Sequence, residues 1–199
     1  MSDPRHSRQD TQAITGLILA GGAGRRMGGQ DKGMLRWQGQ PLASHVAHRL
    51  RPQVDSLIIS CNRNASFYRT LADATALDVR PEYQGPLAGL ESVRSHIASD
   101  LLLVAPCDTP LLPPDMGIRL AEAIRDSQER ICYVYDGNRS QYLCAIMRTQ
   151  VLDLLPDYLN AGHRAVHQWY LQVGARAVDF SDRQGAFINC NAELDLQEK

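Results

Sequence analysis

The sequence predicts an α/β domain built on a doubly wound, mostly parallel sheet, and three observations predict it. Apolar, strand-like runs alternate with amphipathic helical stretches along the chain. The run Leu101-Leu102-Leu103-Val104-Ala105 has no polar alternation, which suits a strand buried on both faces in the middle of a parallel sheet. The first apolar run, residues 14–20, leads straight into a glycine-rich segment, and doubly wound sheets bind ligands beyond the carboxyl ends of their strands.

In chain order, residues 1–12 are polar, without the apolar stretch of a signal peptide, and are expected to form a flexible tail. Residues 13–199 are expected to form a single domain. Strand 14–20 is followed by a helix over 41–50, where Leu42, Val46 and Leu50 stand four apart. Strand 56–61 comes next, then a helix over 86–97 with Leu87, Leu90, Val93 and Ile97 on one side. After strand 101–105, Pro114 opens a helix over 115–125, since proline suits a first helical turn. Strands 131–135 and 143–147 are joined by the turn sequence D-G-N-R-S-Q. Helices over 149–159 and 165–173 and a strand over 175–180 complete the alternation.

Composition narrows the function classes. The 199 residues carry 21 basic and 22 acidic side chains, for a net charge of −1. A field that gathers nucleic acid is therefore excluded, and any anion site must be local. Arg25, Arg26, Lys32 and Arg36 against Asp31 make such a local positive excess. The 44% of hydrophobic residues are enough to fill one core. No apolar run could cross a bilayer, so no membrane partner is expected. The five cysteines form no C-x-x-C pair, which argues against zinc or a disulfide framework and for reduced thiols in a cytoplasmic protein.

Residues 19–33 read L-A-G-G-A-G-R-R-M-G-G-Q-D-K-G. Glycines let backbone N–H groups approach a ligand, successive N–H groups form an anion nest, and Arg25, Arg26 and Lys32 add full charges. The segment reads as a polyphosphate cradle. It is not a dinucleotide fingerprint, because Met27 stands where the third glycine belongs. Nor is it a nucleoside-triphosphatase loop, because Gly33 follows Lys32.

Asp108 follows the buried strand in P-C-D-T-P. It is either a turn-former or, beside a polyphosphate, the anchor of a hard cation such as Mg²⁺. Gly85-Pro86-Leu87-Ala88-Gly89 heads a helix whose positive end and small residues permit close approach by an anion. The amides of Asn189 and Asn191 share a face of an extended strand and reach a metal or a sugar hydroxyl, or else mark a turn. Cys107 has no neighbouring histidine, which argues against a catalytic thiol. His163 and His167 lack the glutamate of a zinc-protease helix. Trp169 and Tyr170 read as core.

Residues 19–33 resemble the signature of the nucleotidyltransferases with a Rossmann-like fold, and most closely that of the molybdenum cofactor guanylyltransferases. Cys61-Asn62-Arg63, G-P-L-A-G at 85–89, P-C-D-T-P at 106–110 and F-I-N-C-N at 187–191 match in the same order, so the resemblance covers almost the whole chain. It implies a single nucleotidyltransferase-type domain, with 13–110 mainly a nucleotide half and 111–199 mainly an acceptor half. It implies transfer of GMP from GTP to molybdenum-bound molybdopterin, with release of pyrophosphate and formation of the guanine dinucleotide cofactor. Leu19, Ala20, Gly21 and Gly22 would hold the nucleotide, Lys32 its phosphates, and Asp108 the Mg²⁺ (or Mn²⁺), joined by Asn191. Gly85 and Gly89 would also face the nucleotide. The family's aspartate after the third strand corresponds to Asp78. Its asparagine near the end of the second strand corresponds by ungapped spacing to Ser60, with Asn62 two residues on. Arg25 or Arg26, with Lys32, would neutralise the leaving pyrophosphate. Gln141, Arg164 and His167 are candidate acceptor contacts. Cofactor-biosynthesis proteins and acceptor molybdoenzymes are the implied protein partners. Cytidylyl transfer, nucleotidyl transfer to a sugar phosphate and a non-catalytic nucleotide-binding regulator are the rival readings.

Overall fold

A computed structural model describes residues 12–22 and 29–190. The strands are β1 (Ile14–Leu19), β2 (Arg36–Trp37), β3 (Gln40–Pro41), β4 (Ser56–Ser60), β5 (Ala74–Ala76), β6 (Leu101–Pro106), β7 (Ile131–Tyr135), β8 (Ser140–Arg148) and β9 (Ala175–Asp179). The α-helices are α1 (Leu42–Leu50), α2 (Ala65–Tyr68), α3 (Pro86–Val93), α4 (Met116–Arg125), α5 (Leu155–Asn160) and α6 (Val166–Val173).

Seven strands form one sheet in the order β5-β4-β1-β6-β8-β7-β9, and β2 and β3 make a separate two-stranded hairpin. Strands β5, β4, β1 and β6 pair in parallel, as do β7 and β9, and β8 runs antiparallel to both its neighbours. The predicted mostly parallel, doubly wound sheet is thus the observed one. The chain winds outward from β1 to β4 and β5, then returns to lay β6 on the other side of β1. That reversal makes β1/β6 the switch point, where doubly wound sheets open a crevice.

Side-chain alternation divides the core into two layers. Ile18, Leu57, Ile59, Leu103 and Ala105 pack with α1 and α4 on one face. Leu17, Leu19, Ile58, Leu102 and Val104 pack with α3, α5 and α6 on the other. Leu101 to Ala105 are each at most 1% exposed, as the absence of polar alternation predicts. Trp169 and Tyr170 belong to the core.

Several boundaries differ from the sequence reading. Residues 149–159 form a 3₁₀ segment (Thr149–Leu154) before α5, because Pro156 cannot donate within a continuous helix. Helix α3 stops at Val93 and tightens into a 3₁₀ turn, Arg94–His96. Helix α4 starts at Met116, so Pro114 precedes it rather than opening it. Strand β8 is longer than residues 143–147 and is bulged: Tyr133 lies opposite Ala145, but its neighbour Val134 lies opposite Gln141. Residues 142–144 therefore have no partner on β7. Tyr142 and Leu143, though adjacent, both pack against the same core layer. A regular strand cannot do that, but a bulge re-aims side chains in this way.

Candidate active site

A cleft of about 480 Å³ opens at the switch point, beyond the carboxyl ends of β1 and β6. The backbone fixes its floor. Leu19 O accepts a hydrogen bond from Cys107 N (3.1 Å), and Ala20 N donates to Ser60 O (2.8 Å). The start of the glycine segment is thereby clamped between the ends of β4 and β6. Leu19, Ala20, Gly21 and Gly22 all line the cleft, together with Lys32, Asp78, Gly85, Gly89 and Asp108. Arg25, Arg26 and Asn191 lie outside the described residues.

The two predicted charge-bearing elements meet. Lys32 Nζ is 3.2 Å from Asp108 Oδ2, with the lysine side chain 34% exposed and the carboxylate 10%. Lys32 is set by Asp31, which caps the 3₁₀ turn Lys32–Met34 by accepting from Gly33 N (3.1 Å). Asp31 also accepts from Tyr68 Oη (2.7 Å) and Asn64 Nδ2 (2.8 Å). Burial pushes the Tyr68 phenol far above its ordinary range, reinforced by the bond to Asp31, so it stays a donor. Asp108 O accepts from Cys190 N (2.8 Å), and Thr109 Oγ1 donates to Asn189 Oδ1 (3.0 Å). These bonds bring Asn189 to the cleft wall beside Asp108.

Ser60 and Asn62 take different places. Ser60 is buried yet lines the cleft. Asn62 stands behind the lining: its Nδ2 donates to Gly21 O (3.0 Å) and Asp78 Oδ2 (2.6 Å), and its Oδ1 accepts from Asp78 N (2.9 Å). The amide thus joins the glycine segment to Asp78. Burial pushes the Asp78 carboxyl above its usual range, against the hydrogen bonds from Asn62 and Ser60. Arg63 donates to Gly22 O (3.1 Å) and to Gly29 O.

Helix α3 can approach because of its glycines. A Cβ at Gly89 would stand 2.9 Å from Ser60 Oγ and 3.0 Å from Leu19 Cδ2. Gly85 caps the helix at φ +89°, a backbone state that side chains rarely adopt.

The far wall comes from β8. Strand β6 pairs with β8 only as far as Val104 opposite Ala145. Beyond that point the strands part, and Gln141, Tyr142, Leu143 and Cys144 face the cleft, with Val166 of α6. No short-range motif announces this wall, because the bulge is a matter of register. Of the three candidate acceptor contacts, Gln141 lines the cleft, whereas Arg164 and His167 do not. Arg164 instead donates to Leu159 O (2.7 Å) and Gln84 Oε1 (2.6 Å).

All five cysteines are free and buried. Burial, helped by Asp108, pushes the Cys107 thiol far above its ordinary value, and Cys61 is raised to about 11 chiefly by burial. Neither is an activated nucleophile. Among the described residues, no three His, Cys, Asp or Glu side chains gather to hold a metal. A cation held by Asp108 would draw further oxygens from phosphates and water. That donor set suits Mg²⁺, which keeps waters and phosphate oxygens.

A family model described as a MobA-like NTP transferase domain matches residues 16–175. The chain belongs to this family. It is accordingly a nucleotidyltransferase, as the glycine signature led us to expect. It is 36% identical over 185 residues to the molybdenum cofactor guanylyltransferase of Shewanella amazonensis, across 93% of this chain and 94% of that one. It is 38% identical to the enzyme of the same name from Mannheimia succiniciproducens, across 94% and 98%. Among solved structures, molybdopterin-guanine dinucleotide biosynthesis protein A from Archaeoglobus fulgidus superposes with a TM-score of 0.75 at 19% identity, covering 92% of this chain and 94% of that one. A 4-diphosphocytidyl-2C-methyl-D-erythritol synthase from Anaerococcus prevotii gives 0.71 at 9%, covering 93% of each. These two likenesses speak for the fold. Among the described residues, no helix is long and apolar enough to cross a membrane.

Proposed function

We propose that the chain transfers GMP from GTP to molybdenum-bound molybdopterin, releasing pyrophosphate. The observation that carries the reading is that the glycine segment after β1 and Asp108 after β6 open on one cleft, with Lys32 between them. A phosphate oxygen of the acceptor attacks the α-phosphorus, a new P–O bond forms, and the bond to the β-phosphate oxygen breaks. Both reactants are anions, so positioning and charge neutralisation supply the rate.

Backbone contacts from Leu19 to Gly22 hold the nucleotide, and Lys32 neutralises charge on the departing pyrophosphate, with Arg25 or Arg26. Asp78 accepts from the nucleoside, held in place by Asn62 and Ser60. Asp108, with Asn191, would hold Mg²⁺ (Mn²⁺ would suit the same donors), and the ion would supply charge compensation for the reacting phosphates. Cofactor-biosynthesis proteins and the recipient molybdoenzymes are the partners this activity calls for.

The test is diphosphate production from each of the four nucleoside triphosphates with magnesium and molybdenum-loaded molybdopterin. The expected result is release with GTP alone. Release with CTP instead would replace the reading by cytidylyl transfer. Nucleotide binding without any release would make the chain a regulator.

A further inference from the structure

We infer that the bulged segment of β8, residues 141–144, is the subsite for the acceptor's fused heterocycle, with Tyr142 as its aromatic face and Gln141 as its polar edge. The inference rests on the guanylyl-transfer reading for the identity of the ring, but its geometry stands by itself. Along the sheet the order is β4-β1-β6-β8. The residues proposed for the nucleotide come from the ends of β1, β4 and β5 and from α3. The charged pair, Lys32 and Asp108, sits at β6. The wall from β8 lies on the other side of that pair. A nucleotide on the β1 side thus leaves the β8 side to the acceptor.

The chemistry of this wall suits a flat ring rich in hydrogen-bonding edges. Tyr142 lines the cleft and is half-buried. Its ring is braced, 4.9 Å from Tyr133 and edge-to-face with Tyr170 at 5.9 Å. Tyr170 Oη donates to Tyr142 O (2.8 Å), which fixes the backbone of the bulge. A braced aromatic loses little freedom when a second ring stacks on it. Gln141 Nε2 donates to Asp136 Oδ2 (2.7 Å). A carboxylate only accepts, so this bond sets the orientation of the amide and leaves Gln141 Oε1 to accept from a ring N–H or amino group. Burial raises the Asp136 carboxyl, but bonds from Arg139 N, Gln141 and Asn138 N outweigh it and hold the group below its usual range.

Two measurements on the full chain separate the subsite from the reading beneath it. Wild-type transfer from GTP to molybdenum-loaded molybdopterin tests the reading, and its absence overturns that. Fluorescence anisotropy of neopterin monophosphate, a stable pterin, tests the subsite without turnover. Tyr142→Leu keeps bulk and removes the π face. It should weaken pterin binding about ten-fold, while Tyr142→Phe retains it and GTP affinity is the same in all three proteins. In turnover, Tyr142→Leu should raise KM for the acceptor and not for GTP. Unchanged pterin affinity in Tyr142→Leu, or equal losses for pterin and GTP, would overturn the subsite.

Discussion

Asp78 shows how one residue's surroundings set a pH dependence. Burial raises its carboxyl above the ordinary value of 3.8, against bonds from Asn62 and Ser60. A raised folded-state pKa means that the native protein binds a proton more tightly than the unfolded chain does. Asp78 is then most favourable to folding below the ordinary carboxylate value, and this contribution is lost as pH rises through its raised value. Asp73, Asp115 and Asp153, held low by hydrogen bonds from arginines, work in the opposite sense. The Asp78 effect therefore appears as a difference between variants. Asp78→Asn should gain stability relative to wild type as pH rises from about 4, seen as a widening gap between urea midpoints, while losing GTP affinity. A gap that narrows with pH would mean that Asp78 is not desolvated. Asp31 is a second case. The sequence shows it only as a negative charge among cations, yet it gathers Gly33 N, Asn64 and Tyr68. The bond to Gly33 N is local, but the Tyr68 bond spans 37 positions and no short-range pattern carries it. Tyr68→Phe should cost about 1 kcal/mol in chemical denaturation and raise KM for GTP through the displaced Lys32 turn.

At the scale of elements, periodicity showed what each segment becomes and left hidden how neighbours meet. The strands over 131–135 and 101–105 were legible because burial on both faces removes polar alternation. β5 has three residues, and β2 and β3 two each, too few to show any period. The β8 bulge is a register property fixed by long-range pairing, so no local pattern carries it. The role of Gly89 was legible as close approach, but not what is approached. In the folded chain its missing Cβ leaves room for Ser60 Oγ and Leu19 Cδ2. At Gly22, by contrast, a Cβ would meet nothing within 4 Å among the described residues, and the backbone is not left-handed. These two glycines should separate packing from ligand contact. Gly89→Ala should destabilise by about 1–3 kcal/mol, read as a lower thermal midpoint, because α3 must retreat from β1 and β4. Gly22→Ala should leave the stability within about 0.5 kcal/mol of wild type yet weaken GTP binding. A Gly22→Ala protein that melts early and binds normally would reverse this assignment.

For the whole molecule, strand order accounts for how a protein with a net charge of −1 would bring together the two anions of the proposed reaction. The reversal between β1 and β6 puts the glycine segment and Asp108 side by side, although Lys32 and Asp108 lie 76 positions apart in the chain. This much of the site was legible, because both motifs stand at carboxyl ends of strands and a doubly wound sheet gathers such ends at its switch point. Of the wall from β8 only Gln141 was, because the rest depends on β8 running antiparallel and parting from β6 after Val104. The unequal burial of the central pair gives a further prediction. Lys32 is one-third exposed, so its ammonium stays within reach of water when the carboxylate is removed, whereas Asp108 is buried and cannot be rehydrated as readily. Asp108→Asn should keep a near-normal thermal midpoint while turnover falls by about 10²–10³. Lys32→Ala should lose similar activity and also about 1–3 kcal/mol of stability, since a buried carboxylate is left without its ammonium. Lys32→Arg should regain the stability but not the rate, because a planar fork does not replace a point charge. Denaturation midpoints and single-turnover rates for the three variants check all of this. A Lys32→Ala protein as stable as Asp108→Asn would show that the pair is solvated and contributes through charge alone.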